Sequence, residues 1–235
     1  MAIRSVSLDN NPCRSCDVRE LTICAALNGH ELDRLNAIVS VVQIAPQQTL
    51  FCEGEPAHSL FNVTRGTLRV SKMLVDGRRQ ITGFLGPGDF LGLAFNDTYA
   101  YTAEAVTATR LCRFPRTKLE ALLEEFPALE KRLLGVASNE LAAAQDQMLL
   151  LGRKSAAEKV ASFLLLLADR AKRQGRPANS VELPMTRTDI ADYLGLTMET
   201  VSRTFSRFET EGAIRSERAQ VVIERPEALE DLAGR

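Results

Sequence analysis

The stretch Arg187–Ser206, RTDIADYLGLTMETVSRTFS, decides how the C-terminal half of this chain folds. Thr186-x-x-Asp189 has the form of a capping box, in which hydroxyl and carboxylate satisfy the first free N–H groups of a helix. Ile190 and Leu194 lie one turn apart and define a buried face, and Ala191 is small enough to let a second helix approach. Gly195 supplies the sharp turn that a residue without Cβ makes at low cost. Thr197 then caps a second helix whose inner face runs through Val201, Phe205 and Phe208, with Leu196 expected in the core beside them. Two short helices joined by so tight a turn predict a helix-turn-helix.

The opposite face of the second helix is polar. Glu199, Ser202 and Arg203 stand at i, i+3 and i+4, so they project together near the helix N-terminus, the part of a recognition helix that enters the DNA major groove. Arg donates two hydrogen bonds to guanine, and Glu accepts one from cytosine. Arg187, Thr197, Thr200 and Arg207 are placed to hold phosphates, which fixes register rather than sequence. An isolated Glu199–Arg203 pair would mean no more than a few tenths of a kcal/mol of helix stability. The apolar and glycine positions around it turn the reading towards DNA.

Working outward, Ala213–Glu224 holds a polar turn and the strand-like Gln220–Ile223, a small β wing. Upstream, Ser155-x-x-Glu158 repeats the capping box and opens an apolar helix through Phe163–Leu167, which Gln174-Gly175-Arg176-Pro177 ends. Thr117–Leu151 reads as one long helix, closed by the break Gly152-Arg153-Lys154. Within it Ala137, Leu141, Ala144, Met148 and Leu151 alternate steps of four and three, the seam of a coiled coil, and predict a homodimer; the competing reading packs this stripe on the chain's own barrel.

From Ile44 to Phe114 short strand-like runs alternate with turn signals. Asp76-Gly77 between Thr67–Val75 and Arg78–Leu85 predicts a tight hairpin, and Leu85-Gly86-Pro87-Gly88-Asp89 another turn. The expected fold is α+β: a cysteine-rich segment at 1–28, an antiparallel β-roll or jelly-roll sensor domain at 29–116, a dimerisation helix at 117–151 and a winged helix-turn-helix at 152–235.

Of 235 residues 45% are hydrophobic and 25% charged, which suits a globular protein with a real core. The net charge of −1 argues against nonspecific coating of nucleic acid, though a specific reader needs only one basic face. No signal peptide or membrane span is apparent, so a cytoplasmic location is expected, with reduced thiols. An enzyme is disfavoured: there is no glycine-rich nucleotide loop, no Ser/His/Asp arrangement and only two histidines, His30 and His58.

Three of the five cysteines cluster as Cys13-x2-Cys16-x7-Cys24. A CxxC pair brings two thiolates to one centre, and Cys24 with one distant cysteine would complete four ligands for an iron–sulfur cluster or a structural zinc. Cys112 in the run Thr109–Phe114 is a candidate for the fourth, although a lone strand cysteine is ordinarily a small buried hydrophobe, the reading kept for Cys52.

Together these segments resemble the CRP/FNR family of bacterial regulators, and within it the FNR-type oxygen sensors, over about residues 13–234. The resemblance rests on the cysteine triplet, Arg65-Gly66-Thr67, Gln80-Ile81-Thr82-Gly83-Phe84, Gly88-Asp89, Cys112, Tyr193-Leu194-Gly195-Leu196-Thr197 and Glu199-Thr200-Val201-Ser202-Arg203. It implies a [4Fe-4S] cluster on Cys13, Cys16, Cys24 and Cys112, base reading by Glu199, Ser202 and Arg203, and a dimer that binds a palindrome like TTGAT-N4-ATCAA until oxygen degrades the cluster. It further implies contact between the Asp76-Gly77 hairpin tip and RNA polymerase. Cyclic-nucleotide-binding relatives carry an Arg followed by Ser or Thr in the phosphate cassette; the corresponding stretch 92–107 has no Arg, so no cyclic nucleotide is expected. Ala144 stands where an acidic residue would repel its dimer mate, which predicts a seam that tolerates loss of the cluster.

Overall fold

The computed structural model describes residues 4–6, 13–93 and 97–234, so part of the expected 1–28 segment and residues 94–96 of the stretch 92–107 lie outside the described residues. The chain divides into two compact units, Met1–Leu141 and Ala142–Arg235. The division falls inside a helix rather than at an end of the expected dimerisation segment.

The first unit opens with β1 (Arg4–Val6), two single 3-10 turns at Arg19–Leu21 and Ile23–Ala26, and α1 (Gly29–Ile38). Asn28 starts α1 with a capping box closed by Glu31. Eight strands follow: β2 (Ser40–Ile44), β3 (Thr49–Phe51), β4 (Ser59–Arg65), β5 (Leu68–Met73), β6 (Arg79–Leu85), β7 (Phe90–Leu91), β8 (Thr102–Ala105) and β9 (Thr109–Pro115). They form two antiparallel sheets, β1-β2-β9-β4-β7 and β3-β8-β5-β6, the expected β-roll. The hairpin lies where the sequence put it, but its turn is five residues, Leu74–Arg78, rather than two. Leu74 N–H donates to Arg78 O, Gly77 N–H to Leu74 O, and the Asp76 carboxylate accepts from Arg78 N–H.

Side-chain alternation along β4 and β9 makes two cores from one sheet. Phe61, Val63 and Leu111 point into the roll, where they meet Val42, Leu68, Ala103 and Ala105. Leu60, Phe114 and Cys112 point outward and are covered by Cys13, Ile23, Cys24, Leu27, Leu32 and Leu35 from the N-terminal segment. The turn between β4 and β5 fixes this geometry at Gly66, which has φ +85°; a Cβ there would collide with Ala108 O.

The helix expected over 117–151 is two helices, α2 (Arg116–Glu125) and α3 (Pro127–Arg153). Pro127 disfavours helical backbone at the residue before it, and Phe126 accordingly sits at φ −119°, ψ 88°. Leu119 and Leu122 of α2 and Leu129, Leu133 and Val136 of α3 join the same outward core as the cysteines.

The second unit contains α4 (Ala156–Arg173), β10 (Ser180–Glu182), α5 (Arg187–Leu194), α6 (Met198–Thr210), β11 (Ile214–Glu217), β12 (Gln220–Ile223) and α7 (Pro226–Ala233). Ser155–Glu158 and Thr186–Asp189 close as capping boxes, as the sequence predicts. The wing is a three-stranded sheet in the order β10-β12-β11. Among the described residues no helix is long and apolar enough to cross a membrane.

Candidate functional site

Two places carry chemistry. The first is the outward face of β9, where the four candidate thiols meet. Cys112 lies in the centre of its sheet, opposite Val41 on one side and Asn62 on the other. Cys24 sits in the turn Ile23–Ala26, its N–H donating to Thr22 Oγ1 at 3.2 Å, while that hydroxyl donates to Arg19 O at 2.9 Å. Arg19 N–H donates to Cys16 O at 3.1 Å and its Nη2 to Leu27 O at 2.8 Å. A chain of local hydrogen bonds thus holds the loop from Cys16 to Leu27 in shape.

Burial sets the charge state of these thiols. Cys13 is pushed up to about 12, by burial first and then by the nearby Cys24 and Cys16. Cys112 is likewise pushed up to about 12 by burial, with Cys13, Cys16 and Cys24 adding to it. Burial also raises Cys24, opposed by the hydrogen bond from Thr22 and by Arg19. Each thiol lies within the field of others, so the structure brings Cys13, Cys16, Cys24 and Cys112 together. They are near neighbours rather than ligands closed on one ion: among the described residues no three His, Cys, Asp or Glu side chains are placed to hold a single metal ion.

Cys52 departs from expectation. It is exposed at the end of β3, where its N–H donates to the Glu55 carboxylate, and is not a buried hydrophobe. The loop after a three-residue strand leaves it no core to enter.

Among the described residues, two polar atoms in the thiol region are buried without a hydrogen-bond partner, Arg19 Nε and Asn62 Oδ1. The sequence reading missed both residues. Their signals were present: a cation inside the cysteine spacing, and an amide inside the apolar run Leu60–Val63.

The donor set suits a polynuclear iron–sulfur group: four thiols, apolar walls from Phe90, Phe114, Leu27 and Leu35, and an unpaired guanidinium N–H facing thiolate charge.

The second place is α6. Thr197 Oγ1 accepts from Thr200 N–H at 3.2 Å and lies 3.0 Å from Thr200 Oγ1. Gly195 ends α5 in the left-handed region at φ 60°. Val201, Thr204, Phe205 and Phe208 are buried, which leaves Glu199 and Arg203 exposed and Ser202 half-buried on the opposite face. Leu196, expected in the core, is half-buried at the turn. The Glu199 carboxyl is held below the usual range by its own backbone N–H, by Thr197 and by Arg203, so it remains an acceptor.

The four residues expected on phosphates divide. Thr197 and Thr200 bond to each other at the cap, a contact that uses only one of their two hydroxyl hydrogens. The Arg187 guanidinium lies 3.4 Å over the Phe205 ring and is half-buried. Arg207 pairs with Glu211 at 3.5 Å and remains exposed. Along α3, Leu141, Ala144 and Met148 are exposed, Ala137 and Leu151 half-buried, and Leu134 extends the same stripe one heptad back. Leu151 partly faces its own unit: its Cδ2 would lie 3.4 Å from a Cβ at Gly195.

Residues 41–126 match the cyclic nucleotide-binding domain family and residues 158–232 the Crp-like helix-turn-helix domain family. The chain is 41% identical over 222 residues to the nitrogen fixation regulation protein FixK of Bradyrhizobium diazoefficiens, covering 94% of each. The chain belongs to the CRP/FNR family. Another member, the transcriptional activator protein FnrL of Cereibacter sphaeroides, is 36% identical over 227 residues, 95% of this chain and 92% of its own. The solved structure of FixK2 from Bradyrhizobium japonicum superposes with a TM-score of 0.78 at 38% identity, covering 83% of this chain and 97% of that one. As a CRP/FNR protein the chain is a DNA-binding transcription regulator and not an enzyme.

Proposed function

We propose that this regulator responds to oxygen through a [4Fe-4S] cluster held by Cys13, Cys16, Cys24 and Cys112, and that two copies joined along α3 read a palindrome like TTGAT-N4-ATCAA. The observation that carries this reading is the meeting of Cys112, from a distant strand, with Cys13 and Cys24 in one apolar core that also includes Leu129, Leu133 and Val136 of α3, with Cys16 near enough to act on the charge of Cys112. When bound, the cluster supplies a group that dioxygen oxidises and dismantles.

The chain's own residues do the rest. The inner face of α3 rests on the core that contains the thiols, while Leu134, Leu141 and Met148 stand exposed at heptad spacing on another face. A change in the cysteine core therefore reaches the seam through one helix. Glu199, Ser202 and Arg203 read base edges, and Arg207, Thr197, Thr200 and the half-buried Arg187 set register along the phosphates. RNA polymerase contact is assigned to the hairpin tip, where Met73, Leu74 and Val75 are exposed.

A zinc ion would need its sulfurs about 3.8 Å apart, from bonds of about 2.3 Å in a tetrahedron. A four-iron cube gives each thiolate its own iron and does not require four sulfurs to close on one ion. Thiol-based sensing by Cys13, Cys24 or Cys112 is disfavoured because burial raises their pKa and keeps them protonated, and thiols are poor nucleophiles. Cyclic nucleotide is disfavoured as ligand: Phe51 and Tyr99 stack at 3.7 Å inside the roll, and Tyr99 Oη donates to Ser59 O.

The test is anaerobic iron and sulfide analysis of the full chain. About four of each per chain, with absorption that bleaches in air, supports the proposal; zinc or no metal after anaerobic reconstitution refutes it.

A further inference from the structure

We propose that Arg19 and Asn62 are the polar partners of this cluster, Arg19 offsetting its negative charge from the loop side and Asn62 hydrogen-bonding beside Cys112 from the sheet side. The inference rests on the cluster reading above.

Four thiolates around a core of charge 2+ leave a net charge of 2−, which an apolar pocket does not tolerate without compensation. Arg19 lies between Cys16 and Cys24 in sequence, and its field acts on both Cys13 and Cys24. Its Nη2 is anchored on Leu27 O, so the guanidinium cannot swing into solvent without giving up that bond. Its Nε is buried and has no acceptor among the described residues. Burying a donor without an acceptor is unfavourable, so its persistence here calls for a partner. A cluster sulfur supplies one. The other charged groups near the thiols are committed or distant: Arg14 is paired with Asp33 at 2.6 Å, and Arg110 acts on Cys112 alone of the three raised thiols.

Asn62 gives the independent observation. It is only 2% exposed, stands between Cys112 and Phe90 across the sheet, and its Oδ1 has no partner. Directly opposite residues of an antiparallel pair have Cβ atoms about 5 Å apart, within reach of a side-chain hydrogen bond. A half-turn of the amide exchanges oxygen for NH2 and aims an N–H at sulfur. Net charge and hydrogen bonds to sulfur are the levers by which a protein sets a cluster's reduction potential.

The test uses the full-length protein reconstituted anaerobically, as wild type, Arg19→Gln, Arg19→Lys and Asn62→Leu, with iron content and midpoint potential as readouts. Arg19→Gln should load iron and become harder to reduce by about tenfold or more in the equilibrium constant, roughly 59 mV lower for one electron. Arg19→Lys should recover most of that shift, and Asn62→Leu should move the potential the same way by about threefold. Loading by the lysine variant but not the glutamine variant also supports a charge role. Loaded Arg19→Gln and Asn62→Leu with wild-type potentials overturn the proposal, as does failure of both Arg19 variants to load, which would make the residue structural. Wild-type protein that takes up no iron instead sinks the cluster reading itself.

Discussion

Replacing Thr186 by Ala tests how the DNA-reading unit is held together. Thr186 Oγ1 accepts from Asp189 N–H at 3.0 Å and donates to Asp189 Oδ2 at 2.8 Å, and Asp189 is 2% exposed. Loss of the cap costs about 0.5–2 kcal/mol. Loss of a donor to a buried carboxylate costs about 1–3 kcal/mol more. The Thr186 N–H still reaches Asp189 at 3.1 Å, which places the sum near its lower half, about 2–3 kcal/mol. Hydrogen exchange of α5 and α6, followed by mass spectrometry, should then run about 30–150 times faster. Thr186→Ser keeps both bonds and should stay close to wild type. DNA affinity should fall with α5 stability, although no base-reading residue has changed. Exchange in the alanine variant within about twofold of wild type would refute the claim that this box secures the unit.

Arg203→Ala should weaken binding to the palindrome by about 1–3 kcal/mol and relax discrimination at one base position, measured by fluorescence anisotropy with mutated sites. Leu141→Lys should shift sedimentation from dimer to monomer, since Leu141 is 62% exposed on the α3 stripe. Wild-type protein freed of its cluster should still show dimer on gel filtration, because Ala144 brings no repulsion to the seam.

Much of the second unit was legible because its signals are local. Capping boxes at Ser155 and Thr186 and the turn at Gly195 each depend on a few adjacent residues, and each formed as read. The missed elements show where locality ends. Pro127 splits the long helix, a signal that the run of helix formers masked. Strand β10 is three residues long and exists only because β12 pairs with it. Arg187 was read from its place at a helix start, but the Phe205 ring that takes its guanidinium lies on the other helix. Arg19 and Asn62 became visible only when the fold laid the N-terminal loop over the outward face of β9 and left two buried atoms unpaired.

The proposed cluster couples the cysteine core to DNA reading. Its most direct test measures binding of the anaerobically reconstituted protein to a TTGAT-N4-ATCAA duplex before and after air, beside a Cys112→Ala variant. Anaerobic binding should be tight and should weaken as the cluster's absorption bleaches, and the variant should bind weakly in both conditions. Equal binding by both proteins, unchanged by air, would contradict it.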